Sequence, residues 1–285
     1  MEPLIQIVPA WDRLPLCVRI WDGGDRLPPI LCLPGLVRTG ADFDPIVPFI
    51  GTGRRVVSLD YAGRGGSGRS PDVERYGPEA CLRDVLDVCA ALYLHRATVI
   101  GTSFGGLLAM GIAAARPGLL RAAVLNDVGP DIGAEGAEFV RDFVARDPKL
   151  ESLDACAAYL REHLPPLSLA TADEWRTMAA LTYEPGADGR FHPVWDTAIA
   201  RLLDRPRPDL RSLFGGLAGV PVLLIRGEVS TLLTAAAATR MRALRPDMAF
   251  ASVPGVGHAP ILTEPPAREA LVAFLARLDA KELSA

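Results

Sequence analysis

Ala97-Thr-Val-Ile-Gly-Thr-Ser103-Phe-Gly-Gly-Leu-Leu-Ala-Met-Gly-Ile-Ala-Ala-Ala-Arg116 is the stretch that decides the fold of this chain. Its first five residues, Ala97–Gly101, are a short apolar run with β-branched side chains, which predicts a buried strand. Its last ten, Leu107–Arg116, are small and apolar over a helical length. Between them lies Gly101-Thr102-Ser103-Phe104-Gly105, a G-x-S-x-G. The glycines let the strand-to-helix turn tighten until the Ser103 hydroxyl stands exposed on a strained backbone with helix N–H groups nearby, a nucleophile elbow. Such a pattern is expected by chance roughly 0.1 times in a chain of this composition. The strand before it and the helix after it therefore carry the argument.

Working outward, short apolar runs alternate with longer helical patterns, the signature of βαβ units and a largely parallel sheet. Leu4–Val8 and Leu16–Trp21 read as an opening hairpin, followed by strands at Ile30–Leu33, Arg55–Leu59, Ala97–Gly101 and Ala122–Asn126. Glu79–Leu94 places Leu82, Val85, Leu86, Cys89 and Leu92 at helical spacing with charges opposite. After Pro130 the alternation stops. It resumes with a strand at Val220–Ile225, a helix near Ala235–Leu244, a strand near Met248–Val253 and a last helix from Pro265–Pro266 with Ala270, Leu271, Phe274, Leu275 and Leu278 as its stripe. Residues 1–129 and 213–285 are thus expected to form one core, and 130–212 an inserted segment of short helices.

The chain has 285 residues, 30 Lys and Arg against 34 Asp and Glu, and 49% hydrophobic residues, so it is globular. The mildly acidic balance of −4 argues against nucleic acid as a partner. No apolar run approaches the 18 or so residues of a membrane span and no signal-peptide pattern opens the chain, so a cytoplasmic protein without membrane partners is expected. Five cysteines without paired or metal-ligand spacing read as reduced, mostly buried thiols, and no cluster suggests a metal or another cofactor. Two lysines against 28 arginines suggest a GC-rich bacterial genome.

A serine alcohol needs a base with a pKa near 7, and four histidines are available. His95 sits in a helix-to-strand turn, and His163 and His192 lie in the insertion. His258, in Val253-Pro-Gly-Val-Gly-His-Ala-Pro260 just after the last strand, can reach over the carboxyl ends of the strands and is the candidate base. Asp60 reads as structural, bonding N–H groups of the Gly63–Gly68 turn. That glycine run lacks the lysine and the spacing of a nucleotide site.

With these residues in view, the chain resembles the α/β-hydrolase fold superfamily. The resemblance rests on Leu33-Pro-Gly-Leu36, Asp60-Tyr-Ala-Gly-Arg-Gly-Gly-Ser67, the Ser103 elbow, Leu125-Asn-Asp-Val-Gly-Pro130 and the His258 loop. It implies a mostly parallel eight-stranded sheet flanked by helices, with a helical cap inserted after the sixth strand. It also implies an oxyanion hole made by the backbone N–H groups of Phe104 and Leu36. Relatives commonly carry the histidine's acid in an Arg-Gly-x-x-Ser-Asp-Leu-Leu segment. Here that segment is Arg226-Gly-Glu-Val-Ser-Thr-Leu-Leu233, with Thr231 at the acid position. Three readings follow: Asp127, at the end of the sixth strand, is a relocated acid; Glu228 serves from a rearranged loop; or the acid is missing, by evolution or by substitution. Serine at the elbow argues against the dehalogenases and epoxide hydrolases of this fold, which use aspartate there.

Eight of the 18 aromatic residues fall between 130 and 214. In this superfamily such an insertion is a lid, and Trp195, His192, Tyr183 and Trp175 are candidate substrate contacts. The expected function is a serine hydrolase acting, as monomer or homodimer, on a small, largely apolar or ring-bearing ester, lactone, thioester or β-diketone. The alternatives are a degenerate ligand-binding protein, or a lyase or cyclase, both favoured by Thr231.

Overall fold

A computed structural model describes residues 2–205 and 209–284. The ten strands are β1 (Leu4–Pro9), β2 (Pro15–Asp22), β3 (Ile30–Leu33), β4 (Arg55–Leu59), β5 (Ala97–Thr102), β6 (Leu120–Asn126), β7 (Tyr183–Pro185), β8 (Phe191–Pro193), β9 (Val222–Gly227) and β10 (Ala249–Val253). Eight of them form one sheet in the order β1-β2-β4-β3-β5-β6-β9-β10. β1 and β2 pair antiparallel, β2 is antiparallel to β4, and every other pairing in that sheet is parallel. The eight strands expected from apolar runs are these eight, with ends shifted by one or two residues.

Parallel strands need crossovers, and helices supply them. The helices are α1 (Val47–Ile50), α2 (Pro78–Ala91), α3 (Phe104–Ala115), α4 (Ala134–Val144), α5 (Leu153–His163), α6 (Ala172–Ala180), α7 (Ala200–Leu203), α8 (Arg211–Gly215), α9 (Ala235–Leu244) and α10 (Pro265–Leu283). Two apolar clusters form the core. In one, α2, α3 and α9 pack against the strands through Val85, Val88, Leu108, Met110 and Met241. In the other, α10 lays Leu271, Phe274, Leu275 and Leu278 on the sheet against Ile100, Val124 and Ile225. Each such side chain, fully buried, contributes roughly 1.5–3 kcal/mol of transfer free energy before chain entropy is subtracted. All five cysteines are free and buried. Among the described residues no helix is long and apolar enough to cross a membrane.

Two features depart from the sequence reading. The α2 face expected to be polar includes Asp84, whose side chain is completely buried. Arg75 makes this tolerable by donating to both Asp84 carboxylate oxygens at 2.7 Å, while also gripping Asp12. Burial raises the Asp84 pKa, and the Arg75 pairing works against that rise. Phe214, counted among the aromatics of the inserted segment, packs instead into the main core beside Leu217 and Ala113. The reason is that α8 already lies against α3.

Between β6 and β9 the chain forms α4 to α7 and a small antiparallel hairpin, β7–β8, that short helical patterns did not foreshadow. His192 on β8 is held between Asp147 and Asp188, at 2.8 and 3.0 Å. Those two carboxylates, Asp147 first, raise its pKa above the usual 6.5. The sign follows: the His192 staple is fully formed below about pH 6.5 and is lost as pH rises through the elevated folded-state value. Amide exchange in β7–β8, corrected for its intrinsic pH dependence, is therefore expected to slow on acidification, and His192→Gln to abolish that slowing. Equal protection in both proteins at pH 5.5 and 8.5 would contradict the staple.

Candidate active site

The carboxyl ends of β5, β6 and β9 and the loop after β10 converge on Ser103, Asp127 and His258. Ser103 lies between β5 and α3 with φ +52° and ψ −116°. A non-glycine residue there costs of order 1–3 kcal/mol. The elbow tolerates it because Gly101 and Gly105, two residues to either side, have no side chains. A Cβ on Gly105 would stand 2.0 Å from the Leu33 carbonyl oxygen, and one on Gly101 would meet Gly105 at 2.4 Å. The Ser103 N–H donates to the Asn126 carbonyl at 2.9 Å, which ties the elbow to the end of β6.

Asn126 itself is fully buried and bridges two loops. Its Nδ2 donates to Thr102 Oγ1 at 3.0 Å and to the Pro260 carbonyl at 2.8 Å. Just after it, Asp127 takes φ +57°, the left-handed region that Asp and Asn enter more readily than most residues. This turn swings the Asp127 carboxylate over β9. Its Oδ1 accepts the Gly227 N–H at 2.9 Å, and its Oδ2 lies 2.8 Å from His258 Nδ1. On the far side of the imidazole, Nε2 lies 2.8 Å from Ser103 Oγ. Asp127 is fully buried, and the His258 side chain is 13% exposed, so the line of hydrogen bonds is sheltered and still reachable at its serine end.

Of the three carboxylate readings, the geometry joins Asp127 to His258. Glu228 points elsewhere, accepting the Gly255 N–H at 2.9 Å from an exposed position. Thr231 lies on the loop crossed by the start of the insertion, where a Cβ on Gly133 would stand 2.0 Å from its carbonyl oxygen. Asp60 does the work expected of it, accepting the Gly66 N–H at 2.9 Å and also the Gly40 N–H at 2.7 Å.

Leu36 lies in the loop after β3. Among the described residues no protein acceptor takes the N–H of Leu36 or of Phe104, so both donors are unspent. The Leu36 and Val37 side chains join an apolar cluster with Val140, Phe143, Trp195 and Ile199. Two residues on, Arg38 donates to both oxygens of Asp42 and reaches Thr182 Oγ1 at 2.5 Å and Met178 Sδ at 3.2 Å. This arginine, which sequence reasoning did not single out, links the β3 loop to the inserted segment. A second link is the Pro166 carbonyl, which accepts the Gly257 N–H at 2.7 Å beside His258.

Of the four substrate contacts expected from the insertion, the two tryptophans and Tyr183 are buried side chains. Trp175 is 8% exposed and packs with Cys156, Leu160 and Tyr183, its Nε1 donating to the Leu169 carbonyl. Trp195 is 2% exposed and donates to the Val144 carbonyl. Trp175 and Tyr183 fill the insertion's own core, whereas Trp195 packs the insertion against Val37, Ala62 and Tyr76 of the main domain. His192 lines a surface cavity of about 310 Å³ together with Arg69, Asp147, Glu184 and Asp196, away from Ser103.

An eight-stranded, mostly parallel sheet with an elbow serine at the end of its fifth strand is the architecture of an α/β-type hydrolase. The chain belongs to that family: the model of the alpha/beta hydrolase fold matches residues 28–265. It is similar to the 3-hydroxybutyrate-oligomer hydrolase of Cupriavidus necator, 31% identical over 83% of this chain and 84% of the relative. It is also similar to the 2-(acetamidomethylene)succinate hydrolase of Mesorhizobium japonicum, 30% identical over 86% of each. Among solved structures, an alpha/beta hydrolase from Novosphingobium aromaticivorans DSM 12444 superimposes with a TM-score of 0.91 at 35% identity, covering 97% of this chain and 99% of that one.

Proposed function

We propose that the protein is a serine hydrolase of carboxylic esters, with Ser103 as nucleophile, His258 as general base and acid, and Asp127 as the supporting carboxylate. The observation that carries this reading is the unbroken line from Asp127 Oδ2 to His258 Nδ1 and from His258 Nε2 to Ser103 Oγ, both hydrogen bonds being 2.8 Å. Ser103 Oγ attacks the ester carbonyl and its proton passes to Nε2. The N–H groups of Phe104 and Leu36 receive the oxyanion, and Asp127 balances the imidazolium. Collapse expels the alcohol, protonated by Nε2–H. Water then attacks the acyl-enzyme by the same route and releases the acid.

Ester chemistry is favoured over the thioester, lactone and β-diketone classes because one relative is named for hydrolysing oligomers of a hydroxy acid, whose links are esters. The contacts of Thr182 and Met178 with Arg38 and of Pro166 with Gly257 fit a lid held to the β3 loop and the His258 loop. The Asp127–His258 hydrogen bond supplies the carboxylate that the neutral Thr231 does not, which supports turnover over ligand binding alone. The test is a substrate panel of short 4-nitrophenyl esters, a 3-hydroxybutyrate dimer, the matching thioester and a β-diketone. The expected result is turnover of the esters with one acid released per bond, kcat/KM being at least tenfold above that for the other classes. Binding without turnover across the panel would overturn the proposal.

A further inference from the structure

The loop after β4 grips both parts of the proposed oxyanion hole. Tyr61, fully buried, donates its hydroxyl to the Pro34 carbonyl at 3.1 Å. Its ring meets the Phe104 ring edge-on, with centroids 5.5 Å apart at 88°. Arg64 is equally buried and donates Nε–H to the Leu36 carbonyl at 2.8 Å and Nη1–H to the Ala62 carbonyl at 2.6 Å. Its guanidinium carbon lies 5.7 Å from the ring centroids of both Tyr61 and Tyr76. Among the described residues no carboxylate forms an ion pair with it, and its Nη2 is buried without a hydrogen-bond partner. A cation kept out of water without a counter-charge costs several kcal/mol, so fold stability alone is a poor reason for it.

The three consecutive carbonyls of Pro34, Gly35 and Leu36 are each held: by Tyr61 Oη, by the Arg38 N–H at 3.1 Å, and by Arg64 Nε. The middle peptide carries the Leu36 N–H opposite the Gly35 carbonyl that the Arg38 N–H holds, and Tyr61 and Arg64 pin the trans peptides on either side of it, which limits its rotation. Without such anchors Gly35, lacking a Cβ, would leave that peptide free to turn. We propose that Tyr61 and Arg64 are positioning residues that preset the Leu36 and Phe104 N–H groups for the oxyanion. Arg64 adds a fixed positive charge beside the Leu36 peptide. This rests on the serine-hydrolase reading above. The effect belongs to the transition state, because a ground-state carbonyl gains little from a prealigned donor and the oxyanion gains much.

The experiment compares Tyr61→Phe and Arg64→Met with the parent protein in kcat, in KM and in affinity for an aryl trifluoromethyl ketone, whose hemiketal with Ser103 carries the oxyanion. Each variant is expected to lower kcat about tenfold or more with KM within twofold. The inhibitor Ki should rise by the same factor as kcat/KM falls, with the pH midpoint of kcat/KM unmoved. Tyr61→Phe removes only a hydroxyl, so it remains informative if Arg64→Met does not fold. Unchanged kcat/KM and Ki in Tyr61→Phe, while Ser103→Ala is inactive, would overturn the clamp alone. Activity retained in Ser103→Ala would instead overturn the reading on which the clamp rests.

Discussion

Asp127→Asn is expected to lower kcat for ester hydrolysis by about 10⁴ at neutral pH while KM stays within a few-fold. The carboxylate accepts from His258 Nδ1 and also from the Gly227 N–H, so it fixes the ring orientation and the tautomer together. An asparagine keeps the shape but removes the charge that balances the imidazolium, and its amide N–H can hold the ring with the wrong nitrogen protonated. Thr231→Asp in the Asp127→Asn background is expected to restore nothing, because position 127, not 231, bonds His258 Nδ1. Steady-state rates of the two proteins, with thermal melts to verify folding, decide the matter. An unchanged rate in Asp127→Asn, together with a gain of orders of magnitude in Thr231→Asp, would mean that the acid is missing rather than moved.

Ser103→Ala is expected to abolish turnover, by about 10⁶ in kcat, and His258→Ala to have an effect of similar size. The two losses should not add. Serine and imidazole act as one unit through the 2.8 Å contact between Nε2 and Oγ, so the double variant is expected to be no slower than either single one. Residual hydrolysis should come only from the oxyanion donors and binding. A double variant slower than both singles by the product of their effects would show that the two residues act independently.

Much of this site was legible in sequence because its parts are local. A strand, a glycine-flanked serine and a helix occupy twenty consecutive residues, and β5 and α3 form where that pattern puts them. His258 could be singled out because only one of four histidines follows a strand near the sheet's carboxyl edge. The carboxylate was harder, since choosing among Asp127, Glu228 and neither depends on how three loops cross. What decides it is the left-handed turn at Asp127, which aspartate tolerates and which sequence spacing does not reveal. Non-local contacts account for the other gaps. Asp84 is buried because Arg75 arrives from a preceding turn, and the loop after β3 is held by the side chains of Tyr61 and Arg64, 27 and 28 residues away from the carbonyls they bond. The aromatic residues of the insertion looked like pocket walls because composition does not say which way a ring faces, and Trp175 and Trp195 turn inward to pack.

The central claim is that Asp127 and His258 activate Ser103, and it is tested most directly by the rate of labelling with a fluorophosphonate, with the modified residue located by mass spectrometry. The account predicts one label, on Ser103, formed rapidly in the parent protein and orders of magnitude more slowly in His258→Ala and Asp127→Asn. A label on another residue, or equal rates at Ser103 in all three proteins, would contradict it.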